Sequence, residues 1–445
     1  MSTFRIFRGD SRTVLIKKNI AGSFLIKGWN CIIQFFLVPL ILKCLNQYEY
    51  GIWATIYSML IWIDYFDIGI GNGLRNKLAE AMAAENLARA QRLTSTTFLM
   101  LGIIIIPIVC LLIAVVKNID CYVVFNVSSD LVPNLREILY ASITIVGGTF
   151  IFKFIGNIYL GLQMPAVNNF LLAAGRTLSL IGIGILAFSD NHSLLHVAVV
   201  YTITPLIIYL IAYPITFHHY PFLRPSFKKF DYKELKELYN LGVKFFFVQI
   251  GGAVLFASSN LLISNIVSPS QVTPYQISYY YFNIPLIIFT IISTPVWSAT
   301  TDAYTKGEWD WIIKMEQKMR LIMILSFILI ILMIIISPIV YQLWIGHKVK
   351  IDMVLSTLMG LYIAVLIFSL CYSNFLYGIG KIWLSTVITV IEAVIFLPIA
   401  YAFGNKYGVI GIIESLTLVN SLCAVTNYIQ FKKISSNTAT GSWDR

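Results

Sequence analysis

The sequence predicts an all-α polytopic membrane protein with about twelve transmembrane helices. Three observations lead there. Of 445 residues, 58% are hydrophobic and only 12% are charged, whereas a soluble globular chain carries about 25% charged residues. A spanning helix needs about 20 mostly apolar residues, and windows of that kind recur along the whole chain. Basic residues then gather on alternate connecting segments. Together these exclude a water-soluble protein of two or three domains.

The windows fall near residues 19–42, 48–69, 94–116, 138–161, 168–188, 197–217, 241–266, 276–299, 321–345, 353–377, 383–403 and 409–430. The first follows a basic stretch (Arg5, Arg8, Arg12, Lys17, Lys18). It is too long for a secretory signal core, and no small-residue cleavage site closes it, so it reads as a span. With both termini in the cytoplasm, the cytoplasmic segments hold 22 of the 32 Lys and Arg, as the positive-inside rule requires. Those segments also hold 11 acidic residues, so they carry the whole net charge of +11. The basic excess is topological and does not point to nucleic acid.

Three longer polar segments lie on the cytoplasmic side. Residues 74–92 are Ala-rich with mixed charge at i,i+4 spacing, which predicts a surface helix. Residues 231–239 read the same way after a turn at Pro221 and Pro225. The five basic residues within 224–236 suit a linker lying on an anionic leaflet. Residues 303–320 form a third amphipathic segment. The first and third follow the second and eighth windows, which predicts two halves of six spans with a common orientation. The expected division is 1–217, a linker at 218–240, 241–430, and a tail at 431–445. No polar stretch is long enough for a soluble catalytic module, so the expectation is a protein that is not an enzyme.

Charged residues inside spans are costly and usually face a bundle interior. Lys27, Lys153 and Arg176 lie about 3–6 Å to the cytoplasmic side of their span centres, at 1.5 Å per residue. Lys27 shares a helical stripe with Ser23, Asn30 and Gln34, Lys153 with Ser142, Thr149 and Asn157, and Arg176 with Asn169 and Ser179. Such stripes predict a face turned to a wet cavity or another polar helix. Three cations at one depth in one half form a candidate anion site for phosphate or pyrophosphate. The alternative is that Lys27 or Lys153 pairs with Asp64 and only fixes helix packing. Lys244 lies near enough to an interface to snorkel. Glu392, Glu414 and Asp64 are candidate ion-coupling carboxylates; for the two glutamates the alternative is an interhelical hydrogen bond made in protonated form.

Other patterns carry less. His192 and His196 are four apart but lack the glutamate of a zinc-hydrolase helix, and His218 and His219 cannot share a helix face, so no metal site is expected. Gly69, Gly71 and Gly73 follow a span instead of a strand, which excludes a dinucleotide fingerprint. No phosphate-binding loop of the nucleotide-hydrolase type occurs, and no cofactor is expected. The six cysteines have no metal-site spacing and imply packing. Tyr275, Tyr279, Tyr280, Tyr281 and Phe282 read as an interfacial belt or as a surface for stacking on sugar rings.

One segment is more specific. Residues 50–98 hold Tyr50-Gly51 at the start of the second span, then Asp67, Gly69, Gly71, Asn72, Gly73, Arg75 and Asn76 at its cytoplasmic end. An Ala-rich stretch ending at Ser95-Thr96 completes the pattern. It resembles the polysaccharide and O-antigen flippases of the multidrug/oligosaccharidyl-lipid/polysaccharide exporter superfamily. That resemblance implies a V-shaped pair of six-helix lobes around a central cavity, working by alternating access and driven by a cation gradient. It implies an undecaprenyl-pyrophosphate-linked oligosaccharide as substrate, carried between the leaflets of a bacterial inner membrane. Polysaccharide polymerase and chain-length proteins would be its partners, with the surrounding membrane lipids. The cations then suit the pyrophosphate, and the Asp67–Asn76 motif suits a hinge and gate. The rivals are a membrane polymerase or glycosyltransferase, whose long outer loop is missing here, and a small-molecule exporter.

Overall fold

The computed structural model describes the backbone of residues 10–67, 69–189 and 193–444, and most side chains within it. The side chains of residues 10–24, 27, 239–253, 256, 257 and 298 lie outside the described set, which takes in Lys27 and Lys244; His192 lies outside it as well. The described residues form helices joined by short loops, with no strand among them. In order, the helices are α1 (Asp10–Cys44), α2 (Gln47–Leu60), α3 (Ile70–Ala83), α4 (Leu87–Asn118), α5 (Cys121–Phe125), α6 (Leu135–Phe152), α7 (Phe154–Gly161) and α8 (Pro165–Ala187). There follow α9 (Leu194–His219), α10 (Tyr232–Ile266), α11 (Pro269–Thr305), α12 (Trp309–Ile345), α13 (Met353–Ile379), α14 (Trp383–Tyr407) and α15 (Val409–Ser435). Nine segments among the described residues are long and apolar enough to span a membrane. The twelve expected windows fall on helices, with breaks in the second and fourth. The protein is an all-α polytopic membrane protein.

Three windows or segments differ in detail from their expected form. The second is broken: α2 stops at Leu60 and the chain continues as a 3₁₀ turn over Ile61–Asp67. The fourth is interrupted at Lys153, where the Gly156 N–H turns to the Lys153 carbonyl at 2.9 Å and so leaves the i→i−4 ladder. Residues 74–92 form no single surface helix. Instead α3 ends at Ala83, Glu85 takes a positive φ of 54°, and Asn86 caps α4 by accepting from the Arg89 N–H at 2.9 Å. An asparagine able to satisfy a free N–H starts a new helix more readily than it continues an old one.

The chain forms two compact units. The first comprises residues 1–45, 60–122 and 128–246, the second residues 46–59, 123–127 and 247–445. In the first, α8 packs between α1 and α9, and α6 packs on α4 and α9. In the second, α13 packs on α11, α12 and α15, with α14 against α15. Helix α2 belongs to the second unit for local reasons. Gly51 has no side chain, and any Cβ there would strike the Pro269 carbonyl. The Gln47 amide donates to the Ser270 carbonyl at 2.9 Å, and Asn260 donates to the Ala54 carbonyl at 3.2 Å. Residues 123–127 join it through Ser264, which donates to the Phe125 carbonyl at 2.6 Å.

Candidate functional site

The first unit gathers several of the sequence-predicted residues around the start of α3. Asp67 closes that helix: its Oδ1 accepts from the Gly69 N–H at 2.7 Å and its Oδ2 from the Gly71 N–H at 3.3 Å. Two free N–H groups at a helix N-terminus favour a carboxylate there. Gly69 sits at φ 75°, a left-handed conformation that glycine adopts without a steric cost. Gly71 lets the Asn157 amide of α7 approach so closely that a Cβ would collide with it. Gly73, on a different side of α3, packs against the backbone of Leu238 at the foot of α10.

Beside this cap, the Lys153 ammonium lies 3.0 Å from Asp64 Oδ2, with both side chains about two-fifths exposed (41% and 43%). Lys153 occupies the break between α6 and α7, and Asp64 the 3₁₀ turn after α2. Neither regular helix would have to hold the pair. Asp67, Tyr65 and Tyr209 all interact electrostatically with this pair. The Tyr209 hydroxyl is buried without a hydrogen-bond partner among the described residues, and the residue is 2% exposed. Asn168 faces the same helix from α8, its amide oxygen seated against Gly156.

Arg176 stands apart. It is exposed on α8 and forms no ion pair among the described residues. An apolar groove of about 540 Å³ runs between α1 and α8, lined by Leu25, Trp29, Phe170, Ala174, Thr177 and Ile181. At 100° per residue, Arg176 lies about 130° around α8 from that groove. It is nearer the buried stripe of Leu171, Gly175, Ser179 and Ile183. Asn30 donates to the Ile26 carbonyl of its own helix at 3.1 Å, and its Oδ1 is buried without a partner. Gln34 and Asn72 are half-buried; Arg75 and Asn76 are exposed. Thus Asp64, Asp67, Gly71, Lys153 and Asn157 come together, while no described contact joins Arg176, Asn30 or Gln34 to them.

The second unit treats its two glutamates differently. Glu392 is buried, 2% exposed, and its Oε1 accepts from the Cys423 N–H of α15 at 2.7 Å. Ser385 donates to Asn427 Oδ1 at 2.6 Å, and Asn427 donates to Ser369 at 3.3 Å. A polar seam therefore ties α13, α14 and α15, and Glu392 accepts an interhelical hydrogen bond within it. Glu414 is half-buried and forms no ion pair among the described residues.

Sequence reasoning missed Tyr209, Asn168 and Glu316. Glu316 is buried, with Lys432 Nζ at 3.7 Å, and it falls in the segment read only as amphipathic. Tyr209 had a signal: Thr202, Tyr209 and Thr216 recur every seven residues along an apolar helix and all three are buried. Among the described residues no group of three metal-ligating side chains occurs, and all six cysteines are free.

The model of a family described as "Polysaccharide biosynthesis protein" matches residues 16–300. This chain belongs to that family. The resemblance carried by residues 50–98 therefore holds at the level of the family. A Yersinia pseudotuberculosis protein whose name assigns it to O-antigen export is 22% identical over 423 residues, covering 90% of this chain and 91% of that one. Two solved structures share the fold, both titled as multidrug resistance MATE family transporters of the MOP superfamily. The inward-facing one has a TM-score of 0.77 at 13% identity, covering 94% of this chain and 98% of the other. The outward-facing one has a TM-score of 0.64 at 15% identity, covering 98% and 99%. As a member of the polysaccharide biosynthesis family with this fold, the chain is a multi-pass membrane transporter or flippase. The relatives are transport and export proteins, not enzymes.

Proposed function

We propose that the chain is a flippase for polyprenyl-pyrophosphate-linked oligosaccharide, an O-antigen or other surface-polysaccharide repeat unit. It moves that lipid from the cytoplasmic to the outer leaflet of a bacterial inner membrane by alternating access, with both its termini in the cytoplasm. Its halves, residues 1–217 and 241–430, act as the two lobes. Lys153, Arg176 and Lys27 hold the pyrophosphate, with Asn30, Gln34 and Asn157 as neutral donors. Residues 67–76 form the gate. Glu392, Glu414 and Asp64 are the carboxylates assigned to ion coupling, and polymerase and chain-length proteins are the partners downstream.

The observation that carries this reading is membership of the polysaccharide biosynthesis family, with a relative named for O-antigen export. The Lys153–Asp64 pair is the packing alternative, and it must open for Lys153 to take a phosphate. In a water-filled cavity an ion pair is worth little on its own, so there a doubly charged phosphate displaces a single carboxylate from the ammonium. Arg176 adds a planar donor able to take two phosphate oxygens at once.

The test is Arg176→Ala and Lys153→Ala in cells that make the surface polysaccharide, with the amount of inserted protein measured in parallel. Both variants insert normally and lose export at least about tenfold, as expected when a charge-assisted phosphate contact is removed. Normal polysaccharide in both variants overturns the head-group site. The multidrug exporter reading rests on fold alone; drug efflux with unchanged polysaccharide on deletion of the gene would replace the flippase.

A further inference from the structure

The segment between α9 and α10 is sorted by charge. It leaves α9 at His219 and enters α10 at Tyr232, so it joins two membrane-facing helices on one side. Its backbone is strapped to the foot of α4 by three successive hydroxyls. Thr94 donates to the Leu223 carbonyl at 2.9 Å, the Ser226 N–H donates to Ser95 at 3.1 Å, and the Asp231 N–H donates to Thr96 at 3.0 Å. All three hydroxyl residues are fully buried.

Each carboxylate from residue 221 to 238 is then turned onto α3 or α4. Asp231 lies 3.2 Å from Arg92 Nε, Glu234 lies 3.2 Å from Arg89 Nε, and Glu237 lies 2.8 Å from Arg89 Nη2. Glu237 also takes Lys77 at 3.5 Å. The cations of the same stretch do the opposite. Arg224, Lys228, Lys229, Lys233 and Lys236 are all exposed, and none forms an ion pair among the described residues. Between them Phe227 is 80% exposed, Tyr232 72% and Phe230 41%.

A charge-neutral solvated loop would mix its signs and hide its aromatics. Here acids face the protein while cations and rings face outward, next to the end of a spanning helix. We propose that residues 224–236 form a docking surface for anionic phospholipid head groups of the leaflet they border. The ammonium and guanidinium groups hold the phosphates, and Phe227 and Tyr232 enter the interfacial zone where amphipathic rings are stable. The strap of hydroxyls and the Arg89/Arg92 clamp keep this surface fixed to the first unit. The inference holds whatever cargo the chain carries.

The experiment uses the full chain in phosphatidylcholine vesicles with or without phosphatidylglycerol. A Phe227→Trp variant supplies a local probe, read as the difference from the unsubstituted protein. Brominated phosphatidylglycerol quenches that emission about threefold more than brominated phosphatidylcholine at equal mole fraction, and the preference fades at high salt. Adding Lys228→Gln, Lys229→Gln and Lys233→Gln abolishes the preference and leaves quenching by phosphatidylcholine, which also shows that the strap is still seated. Equal quenching by the two lipids before those substitutions, a preference that survives them, or no quenching by either lipid overturns the proposal. None of these outcomes bears on the pyrophosphate site, which the export assay tests separately.

Discussion

At Gly71 a single methyl group would meet the Asn157 amide and Asp67 Oδ2. Gly71→Ala should therefore destabilise the first unit by about 1–3 kcal/mol, the usual cost of overpacking. Asn157→Ala in the same chain vacates the space and should return most of that loss. Thermal unfolding of the purified single and double variants checks both. If Gly71→Ala alone unfolds like the parent, the close approach of α3 and α7 is not what that glycine serves. The residue scale is also where sequence reading runs out soonest. Asp64 was open to either Lys27 or Lys153, since both lie at a suitable depth. A distance across 89 positions of chain shows Lys153 on Asp64, while the Lys27 side chain lies outside the described residues. Tyr209 was hidden for another reason: a tyrosine on an apolar helix looks like core packing until its hydroxyl is seen without a partner.

At the scale of elements, the helices follow from local composition and their ends from local chemistry. Asn86 caps α4 and Gly380, at φ 86°, closes α13. The contacts between elements are a different matter. Glu234 is buried on α10, yet its partners Arg89 and Arg92 come from α4. Arg89→Gln leaves that carboxylate with one long contact to Arg92 at 3.4 Å. Because Arg92 remains, the expected loss is about 2 kcal/mol, below the 3–5 kcal/mol of a fully orphaned buried charge. The loss should appear as a lower unfolding temperature, and Glu234→Gln added to Arg89→Gln should recover part of it. An unchanged unfolding temperature would show that the clamp contributes nothing. Residues 74–92 carried mixed charge because they serve this clamp from two helices, which is why reading them as one surface helix failed.

For the whole molecule, the charge distribution is the basis of the proposed orientation. The reading with both termini inside makes a direct prediction. In a cysteine-free background, Asp130→Cys should react with a membrane-impermeant thiol reagent in intact cells, while Lys228→Cys should react only after the membrane is opened. Labelling in the reverse order would invert the topology and move the basic strap to the outer surface. The molecule also departs from simple chain order. Residues 46–59 are early in the sequence and pack with residues 247–445, while α10 begins in one unit and ends in the other.

The membrane class and the helical segments were determined by the sequence alone. Hydropathy summed over about 20 residues is a local quantity, and the bilayer reads it locally. The family was legible for a similar reason, because its pattern is contiguous between Tyr50 and Phe98. Tertiary structure alone decided which cation Asp64 holds, that Glu392 bonds to the Cys423 N–H, and that α2 packs with the second unit. It also decided which charges of the linker face inward. Each of those choices depends on a few ångströms between residues far apart in the chain. Several pairings satisfy the same local pattern, and the packing of small residues such as Gly51, Gly71 and Gly73 selects one of them.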